Sequence, residues 1–275
     1  LGRYFEAKVT GNNPLNNKTC ILTIEPLGPV TSPGPGQFYM IEVGGSYDPL
    51  LKRPFSYLKQ TADSISFLYA VRGKGTSLMK TFMEGKIIKI IGPLGNGYPL
   101  PPENCAPLLI AGGTGIASIY SLAEKLPTKA CVFYGAKCKN ELFVMDDLKN
   151  IGSESFICTD DGSCGEKGTP VEVLENYLIR NSKLETRNLI YACGPKPMLE
   201  AVSKIALEKG LKGYVSLEEN MGCGFGACLG CAIKVRNKEQ RAKGRKNNGT
   251  GAEFVYKRVC KEGPVFPIED IIWKT

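Results

Sequence analysis

The chain has 275 residues, 43% of them apolar and 23% charged, with 11 cysteines, no histidine and a net charge of +8. The length suits two domains or two and an appendage. Without imidazole there is no Ser–His–Asp or Cys–His nucleophile pair, no HExxH zinc site, no Rieske centre and no histidine-ligated haem.

Residues 1 to about 98 carry short β-like runs separated by glycine and proline: TCILTIEPLG, GQFYMIEVGG, SISFLYAVRG and GKIIKIIGPLG. That spacing predicts a small antiparallel barrel or sandwich. From Ala106 the rhythm changes. APLLIAGG predicts a strand at 106–113 and Thr114–Leu126 a helix; ACVFYGA predicts a second strand, followed by a helix over ELFVMDDLKNI. ESFICTDDG supplies a third strand and TPVEVLENYLIRN a third helix, with Thr169 as cap and Pro170 in the first turn. NLIYACGP is a fourth strand, Lys196–Lys209 a helix stopped by Gly210, and GYVSL a fifth strand. Such alternation means a parallel sheet with helices on both faces. The last 58 residues break it and hold four cysteines. The expected units are therefore 1–98, 99–217 and 218–275.

Gly112, Gly113, Thr114, Gly115 and Ile116 join the first parallel strand to its helix. Backbone N–H groups and a helix start there can hold a pyrophosphate. The pattern is G-x-G-x-x-S, and a tight packing turn is its plain alternative. Cys193, Gly194 and Pro195 end the fourth strand, on the edge where open α/β sheets bind ligands. A small thiol at Cys193 leaves room for a flat ring, so we read a nicotinamide dinucleotide site. Lys137 and Lys139 suit a 2′-phosphate and Glu141 a free ribose, which leaves NADH against NADPH open.

Arg53-Pro54-Phe55-Ser56 and, some twenty residues on, Gly73-Lys74-Gly75-Thr76 are suited to a flavin. Arginine can clamp a pyrophosphate, a serine hydroxyl can bond a ring nitrogen, and Gly75 and Thr76 can offer N–H and hydroxyl groups to phosphate. Alone, RPFS means little and reads better as a strand-end turn.

Cys223-x4-Cys228-x2-Cys231 with Cys260 downstream is the strongest motif. This spacing holds 2Fe–2S clusters through four thiolates, and the interleaved glycines let the backbone wrap closely. A structural zinc site is the alternative, but zinc knuckles usually pair two C-x2-C units. Cys20, Cys105, Cys131, Cys138, Cys158, Cys164 and Cys193 show no ligand spacing and read as small apolar residues in a reducing, cytoplasmic compartment. No run reaches the length of a membrane span, and LGRYFEAKVT lacks the form of a signal peptide.

Seven cations between Lys234 and Lys246, against Glu239 alone, supply six of the eight net positive charges. This stretch reads as a solvated loop inserted between Cys231 and Cys260. An anionic partner or nucleic acid is the sharper reading, but no aromatics interleave with the charges, so no nucleic-acid partner is expected.

A β-rich unit followed by a nucleotide unit resembles the ferredoxin–NADP reductase superfamily, in which a barrel holds FAD and an α/β domain brings the nicotinamide. RPFS, GKGT, GGTGIAS, ACGPKPM, EENMGCGFGACLGC and VCKEGPVF together resemble the electron-transfer subunits of dihydroorotate dehydrogenase B over essentially the whole chain. The resemblance implies FAD contacts at Arg53–Ser56, at Leu68, Tyr69 and Ala70, and at Gly75 and Thr76. It implies cluster ligands at Cys223, Cys228, Cys231 and Cys260, with Ser56 and Cys193 near flavin and nicotinamide. It further implies electron transfer between NAD(H) and an FMN-containing catalytic subunit, in a heterotetramer of two copies of each, within pyrimidine biosynthesis. Two departures stand out. Ala70 replaces an arginine common in the family, with Arg72 two residues on, and the span from Cys231 to Cys260 is long. Other readings are a subunit of another NAD(P)H-dependent iron–sulfur flavoprotein, or a zinc-stabilised nucleic-acid-binding module.

Overall fold

The computed structural model describes residues 2–45, 47–181, 188–237 and 253–273. Two seven-stranded sheets and a hairpin make up its β-structure. The first sheet is antiparallel and is built from β1 (Arg3–Pro14), β2 (Thr19–Pro26), β3 (Phe38–Ile41), β4 (Arg53–Ser56), β5 (Lys59–Gln60), β6 (Ile65–Ala70) and β7 (Ile87–Leu94). Its order is β4-β3-β7-β1-β2-β6-β5. Alternation in β1 and β7 turns Ala7, Val9, Ile88 and Ile90 inward, where Tyr39, Phe67 and Leu22 complete a core. The sheet curls until Phe55 of β4 meets Tyr69 of β6 edge to face at 6.0 Å, which makes a half-barrel. Helix α1 (Lys74–Lys80) follows β6.

The second sheet contains β8 (Ala106–Gly112), β9 (Cys131–Ala136), β10 (Glu154–Thr159), β11 (Glu166–Lys167), β12 (Asn188–Cys193) and β13 (Lys212–Ser216), all parallel. Helix α2 (Ile116–Ala123), entered through a 3-10 turn at Gly113–Gly115, covers one face. Helices α4 (Pro170–Arg180) and α5 (Lys196–Glu208) cover the other. The Thr169 cap forms as expected: Glu172 N–H donates to Thr169 Oγ1 at 3.3 Å, and Thr169 N–H to Glu172 Oε2 at 2.7 Å.

Two expectations need correction. The helix over ELFVMDDLKNI shrinks to α3 (Met145–Asn150), because tertiary bonds take over its first half. Tyr134 Oη donates to the Glu141 carbonyl at 3.3 Å and accepts the Phe143 N–H at 3.0 Å, pulling Phe143 into the core and leaving Val144 at φ 52°. The polar loop expected from Lys234 does not start there. Lys234 and Arg236 lie in β14 (Ala232–Arg236), paired antiparallel with β15 (Phe254–Arg258), and the Lys234 ammonium sits 4.3 Å from the Phe254 ring centroid. Residues 238–252, with the remaining charges of the run, lie outside the described residues.

The chain then returns. β16 (Val265–Pro267) pairs antiparallel with β13, so the second sheet gains an edge strand from the cysteine-rich segment. Cys231, Val235, Val259 and Cys260 share one buried cluster with Phe38 and Met40 of the half-barrel and with Val215 of the second sheet.

Candidate functional site

The strand ends and the half-barrel enclose a cleft of about 440 Å³. Arg53, Pro54, Phe55 and Ser56 of β4 and Leu68, Tyr69 and Ala70 of β6 form one wall, with Thr76 beside them. Thr114, Gly115 and Cys193 form the facing wall. Sequence motifs more than a hundred residues apart therefore meet in one space. Gly75 backs Arg53: a Cβ there would stand 3.1 Å from Arg53 Nε. Gly112, Gly113, Ile116, Gly194 and Pro195 stand behind the wall rather than on it. There Gly112 and Gly194 pack backbone to backbone, and Ile116 belongs to the core. The Thr76 hydroxyl is engaged within its own turn, accepting the N–H groups of Arg72 at 2.9 Å and Gly73 at 3.2 Å.

Cys193 is buried in that facing wall. Burial first, then the charge of Glu218, pushes its thiol up to about 12, while Ser118, Ser216 and Tyr98 hydrogen-bond it. It is thus a small neutral group, not a thiolate nucleophile. Sequence reasoning missed Ser216 and Glu218, which line the same cleft. Their signal was positional: β13 lies beside β12, with Ser216 level with Cys193, so residues just past its carboxyl end face the ligand edge. The Glu218 side chain opens onto the cleft yet is closely surrounded by protein elsewhere; this burial raises its carboxyl, and Arg72 opposes the shift.

Met221 also lines the cleft, two residues before Cys223, and Pro264 lines it four residues after Cys260. The thiol loop therefore starts and finishes at the rim. Gly224, at φ 81°, lies so close to Met40 of β3 that a Cβ would sit 2.8 Å from the Met40 sulfur. Met40 in turn pairs with Pro54 of the RPFS strand. The loop is thus one residue layer from the flavin motif.

Among the described residues, no group of three or more Cys, Asp or Glu is arranged to hold a single metal ion. The thiol contacts run mainly in two pairs, and Cys223 also lies within electrostatic range of Cys260. Cys223 and Cys228 interact with each other, and so do Cys231 and Cys260, whose N–H donates to Cys231 Sγ at 3.4 Å. The C-x4-C-x2-C spacing with a distant fourth cysteine matches a dinuclear cluster held by four thiolates, whereas zinc knuckles usually pair two C-x2-C units. The Ala227 N–H donates to Cys223 Sγ at 3.3 Å. Burial raises the Cys223 thiol, but backbone N–H groups of Cys228, Phe225 and Ala227 outweigh it and bring it to about 6. Burial and neighbouring thiols push Cys260 up to about 12, a cost that bound iron would remove by replacing the proton. The donor set fits a 2Fe–2S cluster.

A half-barrel and a parallel sheet around one cleft, with paired thiols at its rim, define a ferredoxin-reductase-like oxidoreductase that carries an iron–sulfur segment. Residues 218–272 match the model described as the iron–sulfur cluster binding domain of dihydroorotate dehydrogenase B, and residues 109–204 match the oxidoreductase NAD-binding domain. The chain is 37% identical over 268 residues to the dihydroorotate dehydrogenase B (NAD(+)) electron transfer subunit of Caldanaerobacter subterraneus subsp. tengcongensis, covering 98% of each chain. Its identity to the Desulforamulus reducens subunit of the same name is 33% over 279 residues, covering 100% of each. Among solved structures it resembles an NADH-dependent reduced ferredoxin-NADP oxidoreductase described for flavin-based electron bifurcation, with TM-score 0.78 and 26% identity over 97% of this chain and 90% of that one. The ferredoxin reductase of carbazole 1,9a-dioxygenase shares the fold at TM-score 0.66 and 21% identity over 76% and 67% of the two chains. The chain belongs to the family of dihydroorotate dehydrogenase B electron transfer subunits.

Proposed function

We propose that this chain relays electrons between NAD(H) and an FMN-containing dihydroorotate dehydrogenase subunit, through FAD and a 2Fe–2S cluster, in an assembly of two copies of each subunit. The observation that carries this reading is the single cleft shared by Arg53–Ser56, Cys193 and Met221, because it puts the flavin, nicotinamide and cluster motifs within one neighbourhood. When bound, FAD accepts the two electrons of a hydride and hands them on singly to the iron–sulfur centre.

The residues of the chain do the positioning. In this reading residues 1–98 hold the flavin, 99–217 the nicotinamide and 218–275 the cluster. Ser56 would bond the ring edge, Arg53 and Arg72 would meet the pyrophosphate, and Leu68, Tyr69 and Ala70 would line the ring's side of the cleft. Cys193, neutral and compact, leaves space for the nicotinamide against the flavin face. Ser118, Ser216 and Tyr98 hold that thiol in place. Glu218 lines the same cleft and would stand beside the bound rings. No described helix is long and apolar enough to cross a membrane, and all 11 cysteines are free, which supports a reducing, cytoplasmic setting.

The test is anaerobic co-purification with the FMN subunit. NADH is expected to bleach both the flavin bands and the broad iron–sulfur absorbance, and orotate reduction by NADH is expected to require both chains. A colourless zinc protein, or NADH oxidation that never reaches orotate with its partner present, would overturn the proposal.

A further inference from the structure

Arg258 ends β15 two residues before Cys260, opposite Ala232 and therefore beside Cys231. Its guanidinium is shared between two segments. Nη1 donates to the Gly226 carbonyl at 2.8 Å, inside the loop between Cys223 and Cys228. Nε donates to Glu262 Oε2 at 3.0 Å, and Nη2 meets the other carboxylate oxygen, Glu262 Oε1. Glu262 also accepts the Arg258 backbone N–H at 2.7 Å. The ion pair is only partly exposed, 27% at Arg258 and 29% at Glu262.

One planar fork thus bolts the loop bearing Cys223 and Cys228 to the turn bearing Cys260. Lysine could supply the charge but not the fork. The same guanidinium lies within electrostatic range of Cys260 and Cys231, after its stronger interaction with Glu262. Gly226, at φ 91°, allows the close approach: a Cβ there would press on Arg258 Nη1 at 3.4 Å and on Lys261 Cδ at 2.7 Å.

An electron arriving among four thiolates adds negative charge. A cation close by favours that state, and a carboxylate close by opposes it. We propose that Arg258 and Glu262 form a charge pair that sets the reduction potential of the cluster, with Arg258 raising it and Glu262 holding it down. Arg258 is on this view a positioning and tuning residue, not a catalytic one. The inference rests on the cluster reading of the four cysteines.

The experiment uses the full chain, purified anaerobically, as wild type and as Arg258→Gln, Arg258→Lys and Glu262→Gln. Iron and acid-labile sulfide are measured first, followed by redox titration of the cluster signal in the loaded protein by electron paramagnetic resonance. In Arg258→Gln the midpoint is expected to fall, and in Glu262→Gln to rise. Each shift corresponds to about a tenfold change in the oxidised-to-reduced ratio at fixed potential, about 59 mV for one electron. Arg258→Lys is expected to lose iron faster while its loaded fraction keeps the wild-type midpoint. Equal midpoints in wild type, Arg258→Gln and Glu262→Gln would overturn the proposal, as would a shift of both glutamine variants in the same direction. If Arg258→Gln fails to hold iron, the sign for Glu262→Gln decides: a rise supports the tuning role, and no rise overturns it. A wild-type chain free of iron and sulfide would instead overturn the cluster reading and this inference with it.

Discussion

Gly115 and Cys193 touch where β8 and β12 end, and a Cβ on Gly115 would lie 2.7 Å from the Cys193 carbonyl carbon and 2.9 Å from the Gly194 nitrogen. Both neighbours are backbone and cannot swing aside. Gly115→Ala is therefore expected to cost about 1–3 kcal/mol through overpacking. For a chain of this size that lowers Tm by roughly 2–12 °C. The strand ends would also part, so KM for NADH should rise while FAD content is kept. Thermal unfolding and NADH titration check both; an unchanged Tm would contradict the contact.

The cysteines differ in chemistry as well as place. In cluster-free chain, Cys223 titrates at about 6, whereas Cys158 and Cys193 are pushed up to about 12, in each case chiefly by burial. At pH 7.5 their thiolate fractions differ by about four orders of magnitude. Iodoacetamide is expected to modify Cys223 before Cys158 or Cys193, as read by peptide mass spectrometry. The rate at Cys223 should fall as pH drops through 6, because protonation removes its thiolate.

Helix α4 offers a test of the scaffold away from the cleft. Thr169 and Glu172 cap it reciprocally, and the bonds from Thr169 lower the Glu172 carboxyl. Thr169→Ala is expected to cost about 1 kcal/mol. A carboxyl lowered on folding contributes stability above its unfolded pKa and loses it as pH falls through the folded value. The wild-type advantage over Thr169→Ala in urea unfolding should accordingly shrink below pH 4.5, the ordinary value for this group.

Ala70 and Arg72 lie on the same wall of the cleft. The chain thus keeps a guanidinium there although position 70 has none. Arg72→Gln is expected to weaken FAD binding by roughly tenfold or more, the usual scale for a lost charge-assisted hydrogen bond. Flavin fluorescence on dilution reads it. Since Arg72 opposes the rise of the Glu218 carboxyl, the variant should also move any ionisation of Glu218 to higher pH.

Much of this architecture is legible in the residues alone. Parallel strands announce themselves as apolar runs ended by glycine or Gly-Pro, and thiol spacing is a direct record of ligand geometry. What escapes such reading depends on neighbours. Phe143 leaves its helical pattern because a phenol from β9 claims its N–H. Glu218 gains its place from the strand beside it, and Val265–Pro267 is too short to declare a direction. Lys234 and Arg236 alternate with Ile233 and Val235, a strand period that the charge run obscures.

The hairpin explains how 28 intervening residues leave the fourth ligand in place. Ala232 opposes Arg258, and the Val259 N–H donates to the Cys231 carbonyl at 3.0 Å, so the two ligands are neighbours at the base of β14 and β15 whatever joins their far ends. Distance along the chain and distance in space are decoupled at this point. The β14–β15 ladder by itself fixes the spacing of Cys231 and Cys260, so the register of the two ligands does not depend on the number or charge of the residues between Asn237 and Glu253.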